Sequence, residues 1–88
     1  MTTPEKRELL RIAILRVLEA NTSRFGLGIT ALIHMLGAYG TVGAPDDVRF
    51  EVYYLHDKGF LTPVDKAISP ENQCWRITAE GRDWVAAH

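Results

Sequence analysis

Apolar and polar positions along the chain divide it into four helical stretches and one β-hairpin. From Pro4 to Ala20, Leu10, Ala13, Ile14, Val17 and Leu18 recur at the spacing of one helix face, with Leu9 at the edge of that stripe. Thr3 suits the cap of this helix, Pro4 its first position and Glu5 its first turn. Asn21 to Gly28 reads as a loop. A second helix is predicted from Ala31 to Tyr39, capped by Thr30 and ended by Gly40, with Leu32, Leu36 and one or both of Ile33 and Met35 inward. After the turn Thr41-Val42-Gly43-Ala44, Pro45 opens a third helix that runs to Lys58 on the inward stripe Val48, Val52 and Leu55. Gly59 is placed to end it, with Phe60 packing back on Leu55. Phe60–Val64 and Cys74–Thr78 read as strands joined by a long loop, and Thr78 caps a last helix that turns Trp84 and Val85 inward.

This order of three helices, a two-stranded hairpin and a short C-terminal helix predicts an α+β, mainly α, fold of the winged helix-turn-helix type, as one domain over residues 1–88. The segments Asp47-Val48-Arg49, Tyr54-Leu55 and Asp57-Lys58-Gly59-Phe60-Leu61 resemble the recognition helix and first wing strand of small bacterial winged-helix regulators. Trp75-Arg76-Ile77-Thr78-Ala79-Glu80-Gly81-Arg82 resembles their second wing strand and final helix. The small size, without a ligand-binding extension, also resembles uncharacterised winged-helix proteins of Mu-like prophages. Membership would imply a third helix in the DNA major groove and a wing on the backbone. A fold alone does not imply that function.

Composition narrows the picture. Of 88 residues, 47% are hydrophobic and 24% charged, which suits a folded domain rather than a disordered chain. Cys74 is the single cysteine, so no internal disulfide framework is available, and a reducing cytoplasm is the expected location. No targeting segment is evident. Phe25 to Ala44 carries no Asp, Glu, Lys or Arg, yet its glycines, Thr30 and His34 argue against a membrane span.

The net charge is −1, and residues 45–59 set Arg49 and Lys58 against Asp46, Asp47, Glu51 and Asp57. That balance lacks the basic footprint of a strong nucleic-acid binder. Two readings therefore stand. In the first, which leads, a DNA-binding transcriptional regulator, Arg49 and Tyr53 contact bases or phosphates, Thr41 helps at the turn, and Lys66 and Arg76 touch the backbone of double-stranded DNA. In the second, a protein-interaction module, Phe50 and Tyr53 form an aromatic patch for a partner. Ile12 and Leu15, placed off the inward stripe of the first helix, point to a homodimer.

Other chemistry is not expected. His34, His56 and His88 lack companions at metal-ligand spacing, and no nucleophile elbow, phosphate loop or dinucleotide fingerprint is present. The expectation is a non-enzyme with no cofactor, no metal, no membrane partner and no evident small-molecule site.

Overall fold

A computed structural model describes residues 4–21, 26–38, 40, 44–64 and 73–88. Its elements are α1 (Pro4–Ala20), β1 (Leu27–Gly28), α2 (Ile29–Ala38), α3 (Pro45–Asp57), β2 (Leu61–Pro63), β3 (Cys74–Ile77) and α4 (Ala79–Ala86). The fold is α+β and mainly α, with a three-stranded antiparallel sheet among the described residues.

Helix α1 spans the predicted residues, but it buries more of its circumference than the predicted stripe. Leu10, Ile14, Val17 and Leu18 are buried as expected, and Leu15 is fully buried with them. The reason is its position: α1 contacts α2, α3, α4 and β3, so packing partners approach it from several directions. Ile12 is half-buried and packed against the same core. Placing Leu15 on an outward face is therefore incorrect, and the dimer surface inferred from Ile12 and Leu15 loses its main member. Leu9, expected at the edge of the core, is instead 64% exposed.

Helix α2 starts at Ile29, ahead of the predicted Ala31, so Thr30 lies inside the helix rather than capping it. Ile29, Leu32 and Leu36 are buried, while Ile33 and Met35 are half-buried against the core. His34, on the opposite side, is exposed. The predicted caps Thr3 and the end at Tyr39 lie outside the described residues.

Helix α3 ends as its sequence demands. The Gly59 N–H donates to the His56 carbonyl (2.9 Å) and the Phe60 N–H to the Leu55 carbonyl (2.9 Å). This pair of bonds is a Schellman motif, which needs a left-handed residue, and Gly59 has φ +83°. The chain then reverses directly into β2.

The sheet has the order β1-β3-β2, with Leu61 opposite Ile77, Thr62 opposite Arg76, and Leu27 opposite Trp75. Period-two alternation buries Trp75 and Ile77 of β3 and leaves Arg76 exposed between them. Pro63 is tolerated because β2 is an edge strand, where its missing N–H is not needed. Strand β1 falls in the stretch expected to be loop. Two residues, one of them glycine, carry no strand pattern, and pairing with β3 is what makes them a strand.

Thr78 caps α4 as predicted: its Oγ1 accepts the Gly81 N–H at 3.1 Å and donates to the Gly59 carbonyl at 2.6 Å. One hydroxyl thus ties the start of α4 to the end of α3. Thr78→Ala should cost about 1–2 kcal/mol, measured as a lower urea midpoint, while Thr78→Ser should keep most of the stability. Val85 is buried, and Trp84 is half-buried with its ring 5.6 Å from Phe60 and 3.9 Å from a stacked His88.

Candidate functional site

Helix α3 has two different sides. Inward lie Val48, Val52 and Leu55, none more than 1% exposed, as the apolar spacing required. Glu51 shares that side and is only 2% exposed. The charge balance of residues 45–59 included Glu51 without assigning it a side, yet it sits three residues after Val48 and four before Leu55, within the inward stripe. Its carboxylate accepts from the Arg7 Nε at 3.0 Å and from the Arg11 Nε. Arg7 and Arg11 are one turn apart on α1, so both guanidinium groups reach one carboxylate across the α1–α3 contact. The missed signal was this pair of arginines opposite a stripe acid.

The same arginines cover aromatic rings. Arg7 lies over Phe50, 5.2 Å from its centroid, and Arg11 over Tyr54 at 3.9 Å. Tyr54 is accordingly half-buried and packed against the core. The consequence for function is electrostatic. Two of the cations near the N-terminus are thus paired with one buried carboxylate, while Arg7 also lies at the edge of the outer side of α3, over Phe50.

That outer side carries Asp46, Arg49, Phe50, Tyr53 and Asp57, all exposed. Among the described residues, Phe50 (58% exposed) and Tyr53 (40%) are large apolar side chains left open to solvent. Tyr53 is held from beneath, because its ring meets Trp75 edge-on at 5.7 Å. The His56 ring also approaches Trp75 (5.2 Å), and its Nδ1 lies 3.1 Å from the Leu61 carbonyl oxygen. Arg49 is 45% exposed and pairs with Asp46 at 3.5 Å. At first-turn positions Asp46 and Asp47 also favour the helix dipole, which helps to replace a side-chain cap that Ala44 cannot supply.

The predicted DNA contacts are only partly brought together. Arg49 and Tyr53 share the outer side of α3. Arg76 does not join them: Trp75 faces α3, and its neighbour Arg76 projects from the opposite face of the sheet. Thr41 and Lys66 lie outside the described residues. Of the predicted protein-interface residues, Phe50 and Tyr53 are exposed together, whereas Ile12 and Leu15 belong to the core side of α1.

Among the described residues, no three His, Cys, Asp or Glu side chains come together as a metal site, and no helix is long and apolar enough to cross a membrane. Comparison with known protein families, curated proteins and solved structures returns no significant match for this chain.

Proposed function

We propose that this chain is a winged helix-turn-helix domain that acts as a protein-interaction module, docking the outer side of α3 onto a partner with a cationic surface. Three helices leading into a β2–β3 hairpin support the winged-helix reading, with β1 completing the sheet. One observation carries the functional reading. Phe50 and Tyr53 stand exposed side by side on α3, flanked by Asp46 and Asp57, with Arg49 paired to Asp46 and Arg7 over the Phe50 ring. Aromatic anchors are enriched at protein contact sites, and the carboxylates of Asp46 and Asp57 at the margins of the patch favour a partner bearing Lys or Arg.

A second reading, duplex DNA, is favoured by Arg49 and Tyr53 lying exposed on the helix that precedes the hairpin. It must overcome the charge. Arg7 and Arg11 are committed to Glu51, and Arg49 has Asp46 beside it. Each phosphate contact adds about 0.9 to the salt slope, so the few cations left would give weak, salt-sensitive binding.

Fluorescence anisotropy on duplex DNA separates the two. The interaction reading predicts no complex tighter than about 0.1 mM near 0.15 M salt, the weak end of non-specific DNA affinity. A tighter complex, whose salt slope falls by about 1 in Arg49→Ala, would establish the DNA reading in its place. In parallel, affinity capture on the wild-type chain should retain a partner that Phe50→Ser and Asp57→Lys each lose while remaining folded.

A further inference from the structure

A cleft of about 420 Å³ separates the first turn of α2 from the first turn of α3, lined by Ile29, Thr30, Ile33, Pro45 and Arg49. Its volume lies within the range of small-molecule sites, and its make-up has their usual balance of apolar wall and few polar groups. Ile29, Ile33 and Pro45 supply the apolar surface. Thr30 and Arg49 are its polar lining residues.

The sign of charge selects the ligand. Asp46 and Asp47 belong to the same helix turn, but neither lines the cleft, so among the described residues Arg49 is its one charged wall residue. The Arg49–Asp46 pair is weak. It is a single 3.5 Å contact to a carboxylate that is 95% exposed, longer than a charge-assisted hydrogen bond and open to solvent screening. A guanidinium has five N–H donors in a planar fork, so it can exchange this one long contact for a bidentate pair with a ligand carboxylate.

We infer that the α2–α3 cleft binds a small amphipathic carboxylate, with its hydrocarbon part against Ile29, Ile33 and Pro45 and its carboxylate on Arg49. Thr30 donates a further hydrogen bond to the same head group. The site goes beyond the docking proposal and does not depend on it, because Phe50 and Tyr53 do not line the cleft.

The test is a titration of the full chain with sodium octanoate, followed by NMR on labelled isoleucine methyl groups and the Arg49 side-chain Nε–H. Saturable shifts are expected at Ile29, Ile33 and Arg49, with half-saturation at about 0.1–1 mM. Arg49→Gln keeps a long polar side chain and alters only an exposed position. It should weaken binding about tenfold, the effect of losing one charge-assisted hydrogen-bonded contact. Octanol, with the same tail and no charge, should bind at least as weakly to the wild type as octanoate does to Arg49→Gln. Octanol binding as tightly as octanoate would overturn the inference. So would shifts centred on Phe50 and Tyr53, or an absence of saturation at Ile29 and Ile33.

Discussion

Replacing both Arg7 and Arg11 by alanine should lower folding stability by about 3 kcal/mol, because it leaves the buried Glu51 carboxylate without a cationic partner. Glu51 is 2% exposed, so water cannot take over the two hydrogen bonds that the guanidinium groups donate. The expected loss sits at the low end for breaking a buried ion pair, since Arg7 (38% exposed) and Arg11 (20%) already reach solvent themselves. Their stems and their contacts with Phe50 and Tyr54 are lost as well, which adds a packing component. Domains of this size are commonly stable by only 5–15 kcal/mol, so a deficit of about 3 is a large fraction of the whole. Urea unfolding would show it as a lower midpoint at an unchanged m-value. The triple replacement Arg7→Met, Arg11→Met, Glu51→Leu should recover most of the loss, because an apolar cluster of similar volume carries no desolvation penalty. A double-alanine variant that loses less than about 1 kcal/mol would show that Glu51 finds other partners, and that the cluster does not hold α1 against α3.

Gly81→Ala should destabilise by about 2 kcal/mol, against the usual direction for glycine inside a helix. A Cβ at Gly81 would lie 2.4 Å from the Phe60 carbonyl oxygen and 2.9 Å from Ile77 Cγ1. The first of these is backbone, and it is held in place because the same carbonyl accepts the Thr78 N–H at 2.9 Å. Relief therefore requires α4 to move away from the end of α3, at the junction that Thr78 also ties. Gly37 provides the contrast. It lies in α2, and a Cβ there would meet nothing within 4 Å. Gly37→Ala should stabilise by about 0.5 kcal/mol through helix propensity alone. Thermal or urea midpoints of the two variants moving in the same direction would refute the close-approach explanation.

Much of the fold was legible because it depends on local chemistry. The bounds of α1, the Gly59 stop, the Thr78 cap and the hairpin strands all follow from apolar period, turn residues and capping groups within a few residues of each other. The candidate site was legible only in part. The exposure of Phe50 and Tyr53 followed from their placement opposite Val48 and Val52 on one helix. The burial of Glu51 did not, because a carboxylate in an apolar stripe is stable only if two cations arrive from a helix forty residues earlier in the chain. Leu15 was misplaced for a related reason: how much of a helix is covered depends on how many neighbours it has. The cleft beside Arg49 was invisible as well, since Ile29, Ile33, Pro45 and Arg49 meet only when α2 and α3 are packed together.

What the amino-acid sequence determined by itself, then, is the succession of the four helices and the β2–β3 hairpin, the stop of α3, the cap of α4, and the inward face of α3. Hydrophobic period and backbone capping are short-range, and they act the same way in any fold. Tertiary structure alone decided that β1 is a strand, that Leu15 belongs to the core, that Glu51 is an internal counter-ion, and that Arg76 is separated from Arg49. Each of these depends on what packs opposite, and both the cost of an unpaired buried charge and the gain from excluding water are set by neighbours distant in the chain.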